Sequence, residues 1–456
     1  MAQKLFRDPL YDYIAIDLDK HAWLLDLINC PELQRLRYIN QLGLSQFTYP
    51  GASHSRFSHS LGVFHVMTQC LEYLEKDYMN DFGPGDKDAL LAAALLHDIG
   101  HGSFSHATES FFGKHEVRSV EIINSTESAV NKVLREEVDK NLPAKVAALI
   151  AKKSLKGFPD ILFWQKSLIS SQLDMDRLDY LRRDSLCSGA EYGNFDWFRI
   201  IHTMQLKEKV IKGQQKGTFV VWPDKSKFAL EEYIFSRFYM YQSVYYHHTT
   251  RGFEGLLKKI LQCARDIAKN NKSFTKALLP PMKMLLGGKE DKDLTKFQKL
   301  TDHILLAQIT IWQNNKNKTL SDLSERLLLR KGIGWTEIIA GTPFEMATKM
   351  GKVRKYLQSQ GKDHNYYFIE DSTGIPPYKP YSSASAGEEQ TSVNSIMLFD
   401  PQWSETGFCE ITEVSGLKRL QAITKDQSSI LRYYFPKEHK GQIKKMLSQN
   451  STSTAG

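Results

Sequence analysis

His97 and Asp98 stand side by side, and a further histidine follows at His101. They close the run Leu90 to Leu96, in which seven consecutive Leu and Ala residues make a helix that is apolar on every face. Such a helix must be buried. Neutral imidazole and carboxylate at its end place two types of ligand in a low-dielectric site, a pairing that suits a divalent transition metal or magnesium. Gly100 and Gly102 allow the tight turn that brings His101 back towards the pair. An isolated His-Asp pair reads more plainly as an ion pair or a helix C-terminal cap. This pair has company. His59 lies upstream in Ser55-Arg56-Phe57-Ser58-His59-Ser60-Leu61-Gly62, and Asp176 lies downstream in Leu173-Asp174-Met175-Asp176-Arg177-Leu178-Asp179-Tyr180.

The order His … His-Asp … Asp resembles the signature of the HD-domain metal-dependent phosphohydrolases. Gln34-Arg35-Leu36-Arg37-Tyr38-Ile39-Asn40-Gln41-Leu42-Gly43 and Pro50-Gly51-Ala52-Ser53-His54-Ser55-Arg56 narrow the likeness. Together they resemble the deoxynucleoside triphosphate triphosphohydrolase (dNTPase) branch, both its bacterial members and the catalytic core of the eukaryotic sterile-alpha-motif/HD-domain enzyme. The likeness runs from about Lys4 to Arg251 and thins beyond. It implies four ligands, His59, His97, Asp98 and Asp176, for a manganese, magnesium, iron, nickel, cobalt or zinc ion. The register Asp-x-Asp-Arg-x-Asp-Tyr selects Asp176 over its neighbours Asp174 and Asp179. Such an ion neutralises phosphate charge and acidifies an attacking water.

The resemblance also assigns roles around the ion. His115 would accept or orient a proton with Glu109 as its carboxylate partner, as a base held by a third group requires. His106 would protonate the leaving nucleoside 5′-oxygen, and His101 would contact phosphate. Arg56 lies one helical turn before His59, so the two share a face, and its planar fork suits phosphate oxygens. Arg177 follows Asp176 where the eukaryotic relative carries Lys, and Arg237 matches an arginine on the triphosphate tail. Gln41 and Asp184 resemble residues that bond the 3′-hydroxyl. Leu42 and Tyr180 resemble the wall that excludes a 2′-hydroxyl by sterics. Tyr245 matches a base-side aromatic. Lys4, Gln34 and Arg37 match one set of effector contacts, and Asp196 and Arg199 match part of a second. Leu186 and Cys187 depart from the eukaryotic pattern, and so does Asn29, which replaces an Asp that reads guanine.

Elements must carry these groups. Residues 4 to 17 alternate as a strand pair, Trp23 to Ile28 opens a helix, and another runs from Pro31 to Gln41. A long helix is expected over Arg56 to Lys76, with His65 on it as a structural residue. Residues 117 to 170 read as helical, interrupted at Gly157-Phe158-Pro159, and Ser170 to Arg183 carries Asp176. Thr218 to Trp222 reads as a strand and Phe228 to Leu257 as one long tyrosine-rich helix. Residues 265 to 335 read as polar helices. Beyond Gly334, strands are expected at Asn365 to Glu370, Ser395 to Phe399, Phe408 to Val414 and Leu431 to Phe435, with a helix near 345 to 358. A loop at Tyr381 to Gly387 and a disordered tail from Ser448 complete the reading. The fold class is mainly α: an HD-domain helical core over 1–330, a smaller α+β region over 331–447, and the tail 448–456.

With 456 residues, 41% apolar and 25% charged, the chain is ordinary for a globular protein with one large core. No run approaches the ~18 apolar residues of a membrane span, and the N-terminus reads as free of a signal segment. Five scattered cysteines without a CxxC pair fit a reducing, cytoplasmic setting. A net charge of +8 suits a polyanionic substrate without indicating nucleic acid. The expected function is hydrolysis of a dNTP to deoxynucleoside and tripolyphosphate by a homo-oligomer, with a tetramer favoured, under a nucleotide effector. Its rivals are another HD-type phosphohydrolase (a nucleotide monophosphatase or nuclease) and a non-catalytic oligomer that binds nucleotides or single-stranded nucleic acid.

Overall fold

The structure, a computed structural model, describes residues 2–152, 162–210, 216–286, 294–338, 343–373, 378, 395–403, 406–425 and 430–448. The protein is mainly helical with small sheets. Its strands are β1 (Gln3–Asp8), β2 (Asp12–Asp17), β3 (Gln205–Val210), β4 (Lys216–Val221), β5 (Ile333–Ile338), β6 (Ile369–Thr373), β7 (Met397–Phe399), β8 (Phe408–Glu410) and β9 (Ile430–Pro436). The helices that matter here are α1 (Leu18–Asn29), α2 (Arg56–Tyr78), α3 (Asp86–Leu96), α4 (His115–Asn124), α5 (Met175–Ser188), α6 (Lys227–Met240), α7 (His248–Asn270) and α8 (Pro343–Ser359).

Two compact units emerge. The first comprises 1–42, 51–244 and 376–426; the second comprises 43–50, 245–375 and 427–456. This division is not the one expected at 330. Residues 245–330 group with the C-terminal strands, while β7 and β8 return to the first unit, where Trp222 bridges Leu398. Short-range pattern carries no trace of such returns.

In the first unit, β1 and β2 pair antiparallel from Gln3↔Asp17 to Asp8↔Asp12, as the alternation predicts. α3 is the centre: Ala89 to Leu96 are at most 2% exposed, so its Leu and Ala run is enclosed on all sides. Asp86 and Asp88 lie in its first turn, where the helix dipole favours negative charge. α2 packs on α3 and on α5, and α4 packs on the helix Leu142–Ile150. Ser55 caps α2 through the Ser58 amide at 3.3 Å, and Asp174 caps α5 through the Arg177 amide at 2.8 Å. α5 ends on Gly189 in the left-handed region, φ 72°. β3, with its charged sequence Gln-Leu-Lys-Glu-Lys-Val, escaped the sequence reading but supplies the antiparallel partner of β4.

In the second unit β9 lies between β5 and β6, antiparallel to both. α7 approaches this sheet closely: a Cβ on Gly252 would stand 2.9 Å from the Tyr434 ring. Met350, Val353 and Leu357 on α8 form a core with Phe368, Tyr433, Phe435 and Ile443.

Several expected elements are corrected. The single helix over Phe228 to Leu257 is broken: α6 stops at Met240, a π turn spans Tyr241–Tyr245, and α7 restarts with His247 Nδ1 accepting from the Thr249 amide at 3.2 Å. Pro31 to Gln41 is one helical turn, Pro31–Gln34, followed by a 3₁₀ turn over Arg35–Tyr38. The strand expected at Asn365 is a turn of helix over His364–Tyr367 before β6, capped by Asp363. The strand expected through Val414 stops at Glu410, whose side chain caps the helix Ile411–Val414. The interruption at Gly157-Phe158-Pro159, the loop at Tyr381 to Gly387 and the tail beyond Ser448 lie outside the described residues. Among the described residues no helix is long and apolar enough to cross a membrane, and the five cysteines are free thiols.

Candidate active site

Four side chains from three helices and a turn converge. His59 comes from the second turn of α2, His97 and Asp98 from the end of α3, and Asp176 from the first turn of α5. His59 Nε2 lies 3.0 Å from Asp176 Oδ1 and 3.8 Å from Asp98 Oδ2. His97 Nε2 lies 3.5 Å from Asp98 Oδ1 and 3.8 Å from Asp176 Oδ1. Each imidazole has its Nδ1 committed: His59 donates to Asp179 Oδ2 at 2.8 Å, and His97 donates to the Ala94 carbonyl at 2.9 Å. In its neutral form each ring therefore carries its lone pair on Nε2, and both Nε2 atoms are buried without a hydrogen bond.

Electrostatics agree with that donor set. Burial alone would lower the His59 imidazole, yet the neighbouring Asp176 and Asp179 lift it to about 10. Burial would raise Asp98, but Arg56 and the imidazoles of His97 and His101 hold its carboxyl well below the usual range. The corner thus asks for positive charge. Two free Nε2 lone pairs beside two carboxylates fit a divalent cation. Among the described residues, His59, His97 and Asp98 form one group close enough to hold an ion.

A second group adjoins it. His101, His106, Glu109 and His115 also lie within ligand reach of one another. His101 connects the two, its Nε2 being 3.3 Å from Asp98 Oδ1. Burial, then Arg56 and His115, hold the His101 imidazole well below its usual range, so it is neutral. It stacks on His115 with centroids 3.7 Å apart. Glu109 Oε1 accepts from Nδ1 of both His115 and His106, the latter at 3.1 Å. Sequence reasoning paired Glu109 with His115 alone; it serves two imidazoles. Against its burial, His106 and His115 hold the Glu109 carboxyl far below the usual range. The His106 side chain is 66% exposed. That is where an approaching ligand can reach it.

The three candidate arginines are held differently. Arg56 is buried and turned onto Asp98 and onto Ser105 Oγ at 2.8 Å, with the Gln41 carbonyl at 3.4 Å. Its fork is occupied by the protein. Arg177 donates Nε to Asp174 at 3.1 Å and leaves Nη1 buried without a hydrogen bond. Arg237 donates Nη1 to Gln172 Oε1 at 2.9 Å and leaves Nε buried and unbonded. Tyr180 interacts with Arg177, Arg237 and Tyr241, which gathers these groups in the first unit. Gln41 bonds the His54 carbonyl through its amide at 2.9 Å, while its Oε1 is buried without a partner. Leu42 is half-buried beside it. Asp184 accepts from His54 Nε2 at 2.7 Å, and Cys187 lies against the same imidazole. Tyr245 belongs to the second unit.

The effector candidates are held locally. Gln34 donates to the Ile28 carbonyl at 2.8 Å and accepts from Arg37 at 2.8 Å, while Lys4 stands exposed on β1. Asp196 caps the helix Trp197–Ile201 through the Arg199 amide at 3.0 Å, and Arg199 donates to the Lys225 carbonyl. Sequence reasoning missed two groups. Asp179 was weighed only as a rival ligand, though its place three residues after Asp176 puts both on one face of α5. His54 was quoted only as part of a motif.

The HD-domain profile matches residues 56–184, the segment that runs from Arg56 to Asp184 and contains all four converging side chains. The chain is 35% identical over 443 residues to uncharacterized protein YwfO of Bacillus subtilis, covering 96% of this chain and 93% of that one. It is 29% identical to deoxynucleoside triphosphate triphosphohydrolase SAMHD1 of Gallus gallus, over 66% of this chain and 51% of that one. The mouse SAMHD1 is 32% identical over 48% of this chain and 36% of its own. Among solved structures, a phosphohydrolase (BT4208) from Bacteroides thetaiotaomicron superposes with a TM-score of 0.72 at 27% identity, over 95% of this chain and 99% of that one. The chain belongs to the HD-domain family of phosphohydrolases, with deoxynucleoside triphosphate triphosphohydrolases among its relatives.

Proposed function

We propose that this protein hydrolyses a dNTP to deoxynucleoside and inorganic tripolyphosphate, as a homo-oligomer under nucleotide control. The observation that carries the reading is the junction at Asp98, where the corner meets His101, which stacks on His115, while one carboxylate, Glu109, holds both His106 and His115. A divalent ion held by His59, His97, Asp98 and Asp176 would lower the pKa of a water and neutralise phosphate charge. The chain's own groups supply the rest. Water attacks the α-phosphorus and the bond to the nucleoside 5′-oxygen breaks. His106, with Nδ1 fixed by Glu109, presents Nε2 to protonate that oxygen. His115 shares the same carboxylate and takes up the proton released by the water. His101 contacts a phosphate oxygen. The unbonded nitrogens of Arg177 and Arg237 are the cationic donors available to the triphosphate tail. Gln41 and Asp184 bond the 3′-hydroxyl, and Leu42 and Tyr180 close the space a 2′-hydroxyl would need; Tyr245 has its base-side role by resemblance alone. Lys4, Gln34, Arg37, Asp196 and Arg199 are the effector contacts.

The test is product identification. Purified protein is incubated with each dNTP, singly and in mixtures, with Mn²⁺ or Mg²⁺. Tripolyphosphate and deoxynucleoside in equal amounts are expected, and His97→Ala should be silent. Release of orthophosphate without tripolyphosphate, or full activity in His97→Ala, overturns the reading.

A further inference from the structure

His59 does not stand alone in its orientation. Asp179 Oδ2 receives the His59 Nδ1 proton at 2.8 Å, and Asp179 is itself gripped by a fork: Arg183 Nε donates to Oδ2 at 2.9 Å and Nη2 to Oδ1 at 3.0 Å. The other edge of the same guanidinium holds Asp8, with Nη1 to Oδ2 at 2.8 Å and Nη2 to Oδ1 at 3.3 Å. Asp8 is the last residue of β1, and its Oδ1 also accepts the amides of Leu10 (2.9 Å) and Tyr11 (3.2 Å) in the hairpin turn. Arg183 and Asp179 are at most 1% exposed, and Asp8 is 5% exposed. Gly62 on α2 makes room: a Cβ there would lie 1.9 Å from Asp179 Oδ1 and 2.4 Å from Arg183 Nη2.

From this line of contacts we infer that the N-terminal hairpin turn is the outer support of the metal corner, with Asp8 acting through Arg183 and Asp179 to fix the tautomer and ring plane of His59. The inference rests on the proposed metal-binding role of His59. A buried ion network that only glued α5 to the hairpin would have no reason to end on an imidazole whose second nitrogen faces two carboxylates. A bidentate fork also does more than neutralise Asp179: it sets the plane of that carboxylate, hence the direction from which His59 Nδ1 is held. Asp8 does the same for the guanidinium. The three are positioning residues.

The experiment is titration of the full chain with Mn²⁺, free ion being read by electron paramagnetic resonance, so that no substrate turnover enters. Asp179→Asn should bind Mn²⁺ about 10–100-fold more weakly, the loss typical of removing a ligand's outer partner. Asp8→Asn, which keeps an acceptor for the turn amides, should weaken binding by about tenfold within that range. The double variant should be no weaker than Asp179→Asn alone, because both act on one nitrogen. Arg183→Lys, which keeps the charge and loses the fork, should match Asp8→Asn, and it decides the matter if Asp8→Asn melts below the titration temperature. Wild-type affinity in folded Asp8→Asn or Arg183→Lys beside a weakened Asp179→Asn overturns the hairpin's part, and so does additive loss in the double variant. Absence of Mn²⁺ binding by the wild type overturns both this inference and the metal-centre reading, which separates the two failures.

Discussion

Gly100 is the point at which the two halves of the site touch, and replacing it with alanine is the sharpest available test of the geometry. A Cβ at this position would stand 2.1 Å from the His115 carbonyl oxygen and 2.4 Å from the Ser119 amide nitrogen. Ordinary contact needs roughly 3.5 Å, so the turn after His97 and Asp98 and the start of α4 must separate by about an ångström. Neither obstacle is a side chain that can rotate away. The separation also strains the bonds that tie the turn to α4. The Gly100 amide donates to Ser119 Oγ at 2.9 Å, and that hydroxyl donates to the His97 carbonyl at 2.9 Å. Overpacking costs about 1–3 kcal/mol, and a buried amide left without its acceptor costs about 1–3 kcal/mol more. Gly100→Ala should therefore lose about 3–4 kcal/mol, a large part of the stability of a typical domain. Because His115 stacks on His101, the same shift misplaces the imidazoles, and a displacement of about 1 Å can reduce turnover on the order of 10²-fold. Denaturant unfolding and tripolyphosphate release measure the two effects. Gly351→Ala is the control: its Cβ meets nothing within 4 Å, it lies inside α8, and it should gain up to about 1 kcal/mol. Gly100→Ala with wild-type unfolding and wild-type turnover would refute the close approach, and with it the juxtaposition of the two clusters.

Two other outcomes follow from the same geometry. Burial would lower the His54 imidazole, but Asp184 and Cys187 outweigh it and lift the group to about 9. The folded chain then holds this proton more tightly than the unfolded one. The contribution, about 3 kcal/mol, is complete below about pH 6.5 and is lost as the pH rises through 9. Unfolding midpoints of the wild type should fall across that window more steeply than those of Asp184→Asn, and parallel curves would count against the pair. Glu109→Gln removes the charge that orients two imidazoles. It should lower kcat on the order of 10²-fold while Mn²⁺ affinity holds, and an unchanged kcat would remove Glu109 from the chemistry.

How far the sequence reached depends on what each feature needs. The candidate ligands His97 and Asp98 were legible because burial of the Leu and Ala run follows from composition alone, and two adjacent donor types mark its end. Asp176 needed a register borrowed from a resemblance, since Asp174 and Asp179 are chemically equal to it. The structure gives the three different work: Asp174 caps α5, Asp176 faces the histidines, and Asp179 holds His59. Nothing in local pattern separates a helix cap at Asp174 from a candidate ligand two residues on, at Asp176. Arg183 and Asp8 were further out of reach, because in sequence each is one charge among many, and only the fold brings them within 2.8 Å across 175 positions. The break between α6 and α7 failed for another reason. The aromatic run through Tyr241 to Tyr246 keeps a helical period, and a π turn alters the backbone bonding without altering that period. The expected boundary at 330 followed a change in texture from polar helices to strands. The chain instead builds its units from returning segments, with β9 seated between β5 and β6 and Trp222 reaching β7. Composition along the chain records what each segment is made of; which segment closes against which is decided by side chains, such as Tyr434 against Gly252, that meet only once the sheet exists.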